Sequence, residues 1–155
     1  MAMILSSRAR YGVRAMFQLA CHWGEGPVAL RTVAEEQDLS LAYLEQLVAV
    51  MRRSGLLESV RGRKGGYQLA RHPEDISVGE IIRALEGPVF VAACADPDPD
   101  FDDCGRGAFC VSRLLWMKVH RQIEDAFDST TLGDLCDASR QERDQARRVL
   151  MQRER

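Results

Sequence analysis

Residues 30–70 read LRTVAEEQDLSLAYLEQLVAVMRRSGLLESVRGRKGGYQLA. The first eight predict a short helix with Val33 and Ala34 turned inward. Asp38 and Leu39 form a tight turn; aspartate visits left-handed backbone conformations more readily than most residues. Ser40 then caps a helix with an apolar stripe of Leu41, Leu44, Leu47, Val48 and Met51, and Gly55 stops it. Two short helices joined by so few turn residues are the signature of a helix-turn-helix. LLESV and YQLA then flank the basic, Gly-rich RGRKGG, which predicts a wing-like β-hairpin.

Working outward, Ser6 and Ser7 can cap a preceding helix with Val13, Met16, Phe17 and Ala20 on one face, ended by Gly24 and Gly26–Pro27. Downstream, Ser77 and Glu80 form a capping box opening a helix that buries Val78, Ile81, Ile82 and Leu85; Gly87–Pro88 closes it. Residues 1–87 are thus expected to be a winged helix-turn-helix domain. Residues 88–109, rich in Pro, Asp and Gly and without periodicity, read as a loop rather than a packed element. A long helix is expected from about residue 110 to 127. Its Ser112, Trp116, Val119, Ile123 and Ala126 recur in steps of four and three, as in a helix–helix seam. Leu114, Leu115, Met117 and Phe127 extend the apolar surface, so the helix should bury against a second subunit. Thr131 and Asp134 open a short helix through Leu135, completing a dimerisation region over 110–138. Residues 139–155, nine of which are charged, read as frayed helix or disorder. The fold class is mainly α with a small β-hairpin wing.

With 155 residues, 46% hydrophobic and 28% charged, the chain has an ordinary globular composition. It shows no apolar run able to span a bilayer and no secretory signal, so a cytoplasmic location without membrane association is expected. The net charge of −2 hides a local asymmetry. Between Arg52 and Arg71, six bases (Arg52, Arg53, Arg61, Arg63, Lys64, Arg71) face one acid, Glu58. Between Cys94 and Cys104 lie five aspartates and no base. One end suits phosphates and the other is repelled by them. Enzyme chemistry is not expected: there is no nucleophile–base pair, no phosphate loop, and no mutual spacing among His22, His72 and His120.

Double-stranded DNA is the expected partner. Ser40, Tyr43, Glu45 and Gln46 open the third helix away from its apolar stripe. Glu accepts from cytosine N4 and Gln pairs with adenine. Arg61, Arg63 and Lys64 crown the wing, where Arg responds to a narrow minor groove, and Arg8 and Arg10 can hold phosphates. A protein-binding adaptor of the same fold is the alternative from another class. Cys94, Cys104 and Cys110 gather in CADPDPDFDDCGRGAFC. Thiolates select soft metals: iron in iron–sulfur clusters, copper(I) and zinc. Free thiols, with Cys104 and Cys110 as a metal-free switch, are the alternative. Cys21 and Cys136 read as core residues, with a ligand or a resolving thiol as the lesser reading for one of them.

LSSRARYGVRAMFQLA, LSLAYLEQL, SVRGRKGGYQLA, ISVGEIIRALEG, the three-cysteine loop with CVSRLLW, and TLGDL appear in order over about residues 4–137. In these motifs the chain resembles bacterial regulators of the IscR and NsrR type. The resemblance implies a winged helix-turn-helix homodimer with a long helix crossing to the partner. It also implies an iron–sulfur cluster on Cys94, Cys104 and Cys110, 2Fe-2S with 4Fe-4S as the alternative. Two departures stand out. Nine residues separate Cys94 from Cys104, more than is usual in cluster-binding members. Arg113 stands where the IscR branch has a His, and Arg10 where the nitric-oxide-sensing branch has an acid; arginine is a poor metal ligand. The fourth ligand is left to Asp102, Asp103, His120, solvent or a small thiol.

Overall fold

Helix α1 (Ser7–Cys21) starts where Ser6 accepts hydrogen bonds from the backbone N–H groups of Arg8 at 3.1 Å and Ala9 at 3.3 Å. The computed structural model describes residues 5–96 and 110–153. Helix α2 (Leu30–Gln37) ends at Asp38, whose backbone is left-handed (φ 52°, ψ 51°), as the turn at that position requires. Ser40 accepts from the Tyr43 N–H at 3.2 Å and opens α3 (Leu41–Arg53). Strands β1 (Leu57–Val60) and β2 (Gly66–Leu69) pair antiparallel in the register Leu57↔Leu69 to Val60↔Gly66. Gly62 turns the tip at φ 118°, a conformation that a side chain disfavours. Val28 adds a short bridge to Tyr67, with N···O distances of 2.9 and 2.8 Å, that ties the loop before α2 to the hairpin.

A short 3-10 turn, Pro73–Asp75, leads to α4 (Val78–Glu86). Both bonds of its capping box are present: Glu80 N–H donates to Ser77 Oγ (3.1 Å), and Ser77 N–H to the Glu80 carboxylate (3.0 Å). Partial burial alone would raise the Glu80 pKa. The Ser77 N–H and the Arg71 guanidinium (2.7 Å) outweigh it and hold the carboxyl below its usual range. A depressed folded-state pKa stabilises above the unfolded value and is lost as pH falls through the folded one. Glu80→Gln is therefore expected to cost about 0.5–1 kcal/mol near neutrality, a figure kept low because the carboxylate is partly exposed. The gap should close as pH drops below about 4. Urea denaturation of both proteins across that range checks it; a gap independent of pH contradicts it.

The core gathers Met16 and Leu19 of α1, Val33 of α2, Leu44, Leu47 and Met51 of α3, Ile81 and Leu85 of α4, and Leu57 and Leu69 of the hairpin. Gly12 lets α1 and α4 approach closely, since a Cβ there would run into the Leu85 side chain. The apolar stripes expected for α1 and α3 face this core, as do Ile81 and Leu85 of α4, while Val78 and Ile82 of α4 form a second cluster with Ala9.

Three features differ from the sequence expectation. First, the described part of the expected loop, residues 88–96, includes a packed element. A 3-10 turn, Ala93–Ala95, packs against α5 (Val111–Ser129) and buries Ala95. Small residues let the chain lie flat on the helix despite the missing periodicity. Second, the final helix is not short. α6 runs Leu132–Arg153, so the stretch expected to fray or disorder is helical through Arg153. Charge alone does not end a helix; Gly and Pro do, and neither occurs between Asp134 and Arg153. Third, α5 extends two residues beyond Phe127. Thr131 and Asp134 form the expected cap, with N–H···O distances of 2.8 and 3.1 Å. Hydrogen bonds from Val78 N–H to Thr130 O (2.8 Å) and from Leu132 N–H to Ile76 O (3.0 Å) pin this α5–α6 corner to the start of α4. No described helix is long and apolar enough to cross a membrane.

Candidate nucleic-acid interface and metal centre

Helix α3 buries Leu44, Leu47, Val48 and Met51, and this alone decides which residues face outward. Ser40, Glu45 and Gln46 are exposed, and Tyr43 is half-buried. The Tyr43 ring stands edge-on to Tyr11 of α1, with centroids 6.1 Å apart. Arg10 and Arg14 lie over the Tyr11 ring at 6.0 and 5.5 Å. Arg10 also donates to Ser7 Oγ at 3.2 Å. A groove of about 330 Å³ joins Arg8 of α1 to Tyr43, Gln46 and Arg53 of α3. The fold thus sets Arg8 beside the outward face of α3. It adds Arg53, counted in the sequence only as part of a basic run; its place at the last turn of α3 was the available signal. Arg61, Arg63 and Lys64 are exposed at the hairpin tip. Outward polar groups on a helix, cations at its flank and cations on a wing can together meet base edges and phosphates.

Of the three clustered cysteines, Cys94 and Cys110 lie within the described residues, both beside α5. Cys110 is the N-cap residue of α5, where the free N–H groups of a helix start favour negative charge. Cys94 sits in the 3-10 turn packed on the same helix, and both residues are half-buried. Arg113 links the two: its backbone N–H donates to the Cys110 carbonyl at 3.1 Å and its guanidinium to the Asp96 carbonyl at 3.2 Å. The residue in the expected place of a ligand therefore serves as a clasp between the flanking cysteine segments. Cys104, Asp102 and Asp103 lie outside the described residues. Among the described residues no three His, Cys, Asp or Glu side chains gather as a metal site. Two thiols brought to one helix, with a third in the segment between them, suit a soft cluster more than a hard cation.

His120, named from the sequence as one option for the fourth ligand, is the one buried polar residue among those described. Its Nε2 lies 3.2 Å from Glu124, its ring tilts onto Phe90 at 5.0 Å, and Nδ1 has no partner among the described residues. Nothing in the local pattern marks it as buried, because its cover comes from the segment after α4. Of the seam residues, Trp116 and Ala126 are exposed, while Val119 and Ile123 are half-buried. Val111, Leu114 and Leu115 stand 80%, 64% and 53% exposed, a concentration of apolar surface on one helix that a lone subunit leaves open.

A family model described as Rrf2, iron-dependent transcriptional regulator, matches residues 5–138. The structure of T. potens IscR is 48% identical, with a TM-score of 0.72 and 88% of each chain covered. CymR (YrzC), the global cysteine regulator of B. subtilis, is 39% identical, with a TM-score of 0.74 over 87% of this chain and 97% of that one. The transcriptional regulator IscR of Aliivibrio salmonicida is 40% identical over 133 residues, 86% of this chain and 77% of its own.

Proposed function

The chain belongs to the Rrf2 family of transcriptional regulators, and from that premise we propose that it binds double-stranded DNA as a homodimer under the control of an iron–sulfur cluster held by Cys94, Cys104 and Cys110. The relatives are named as regulators, and the chain is one rather than an enzyme. The observation that supports the cluster is that Cys94, in a 3-10 turn packed on α5, and Cys110, the N-cap of α5, border the same helix, with Arg113 hydrogen-bonded to Cys110 and to Asp96. When bound, the cluster supplies iron that responds to oxygen, nitric oxide or thiols through oxidation and ligand exchange; 2Fe-2S is the form proposed, with 4Fe-4S the alternative. The fourth ligand falls to Asp102, Asp103, His120, solvent or a small thiol.

The protein's own residues then do the rest. Arg8, Arg10, Arg61, Arg63 and Lys64 hold phosphates and the minor groove. Ser40, Tyr43, Glu45 and Gln46 face the major groove. The segment bearing Cys94 rests on α5, α5 is tied to α4 by the Arg83–Asp128 pair at 2.7 Å, and α4 packs on α1 and α3. A change at the cysteines therefore has a contiguous route to the recognition helix. The genes governed are those of iron–sulfur biogenesis, iron homeostasis, or redox and nitric-oxide stress.

Anaerobic reconstitution tests the cluster. Wild-type protein should become coloured and bind about two iron and two sulfide per chain as 2Fe-2S. Cys94→Ala and Cys110→Ala should each lose most of both. Colourless protein with three freely alkylated loop thiols would overturn the reading. The likeness to CymR, together with Arg113 and Arg10 at the usual fourth-ligand positions, favours a second reading: a metal-free switch joining Cys104 to Cys110. It predicts DNA binding that changes with peroxide and ignores iron.

A further inference from the structure

We propose that Cys21 and Cys136 form a redox-modification site, in which hydrogen peroxide oxidises the two thiols to a disulfide that ties α1 to α6. The sequence places them 115 residues apart, yet their Sγ atoms lie in contact at 3.9 Å. Cys21 is the last residue of α1, where the backbone is free to adjust, and Cys136 is in the first turns of α6. A disulfide needs the sulfurs to close to about 2.05 Å, a shift that side-chain rotation and a small helix-end movement supply. A crevice of about 250 Å³ reaches both cysteines, rimmed by Trp23, His72, Glu74 and Arg140. A small oxidant therefore has a path to them.

Their environments differ. Cys21 is half-buried and Cys136 only 6% exposed. Burial, and then the neighbouring Cys21 sulfur, push the Cys136 thiol up to about 11. The more exposed Cys21 is the attacking sulfur. Its thiolate takes the distal oxygen of the peroxide; the O–O bond breaks, and with the proton released from the thiol the first water leaves. Cys136 then attacks the Cys21 sulfenic sulfur, the S–O bond breaks, and the departing hydroxide takes the Cys136 proton as the second water. Two thiols have given two electrons to one peroxide. Arg140, beside Cys136, favours the thiolate that forms in this step.

This site is independent of the metal reading and its test keeps the two apart. Trypsin releases residues 15–31 and 122–140, each with a single cysteine, Cys21 and Cys136 respectively. The full chain is treated with mild hydrogen peroxide, alkylated, digested and mapped by mass spectrometry. The two peptides should appear joined. Closing so long a loop should raise Tm by roughly 10 °C, reversibly with dithiothreitol. Cys21→Ser should lose both effects. A Cys94→Ser, Cys104→Ser, Cys110→Ser variant should keep both. Separate recovery of the two peptides, alkylated or over-oxidised, overturns the proposal, as does loss of the link in the triple variant.

Discussion

Replacing Arg61, Arg63 and Lys64 together with alanine is expected to lower DNA affinity on the order of 10²- to 10³-fold at moderate salt. The three side chains are exposed at the tip of the β1–β2 hairpin and make no part of the core. Their removal should leave folding intact, so lost binding cannot be assigned to lost structure. In a dimer both wings lose their charges. Each phosphate contact removed should flatten the slope of log K against log salt by about 0.9. Cations that read groove width or phosphate weaken binding across sequences rather than at one base. Fluorescence anisotropy on a duplex at several salt concentrations measures both quantities. Unchanged affinity and slope would point to the adaptor, with the winged helix docking protein.

Leu115→Glu combined with Trp116→Glu is expected to convert the protein from a species of twice 17.4 kDa to one of 17.4 kDa. Both residues are exposed on the single chain, at 53% and 40%, so the substitutions should not disturb its core. Leu115 shares a face with Val119, four residues on, and Trp116 with Ile123. Burying a large apolar side chain contributes roughly 1.5–3 kcal/mol, and the substitution replaces that gain with the cost of desolvating a carboxylate. With both helices of a symmetric pair altered, the dimer constant should weaken by at least about 10³-fold. Light scattering and sedimentation read the mass directly. DNA affinity should fall with it, because two half-sites are no longer held by one particle. A variant that keeps the dimer mass would place the subunit contact elsewhere.

What the sequence made legible was local. Asp38 fixes the turn between α2 and α3 through its left-handed backbone and Ser40 through its side-chain cap, and Ser77 with Glu80 closes a capping box within one helical turn. Such signals need no distant partner. The outward face of α3 follows from its apolar stripe in the same way. What stayed hidden depends on pairs far apart in the chain. Nothing in the local pattern of Cys21 or Cys136 shows that their sulfurs touch. Arg113 could be recognised as a poor ligand, but its role as a clasp requires knowing that Asp96 folds back onto α5. The burial of His120 depends on contacts such as that with Phe90, thirty residues earlier in the chain. The charged run after Ser139 was open to fraying because it has no apolar face, but its residues are mostly good helix formers and carry their own support, such as Arg140 to Asp137 at 2.9 Å.

Cluster control of DNA binding is tested most directly by one comparison made under anaerobic conditions. A duplex is first selected from a random pool by the reconstituted protein, and its affinity is measured at fixed salt for that protein and for the same preparation stripped of iron. A difference of about tenfold or more, abolished in Cys94→Ala, is the result predicted. Equal affinity with iron present and removed would contradict cluster control and leave a DNA-binding regulator governed by something other than its three-cysteine segment.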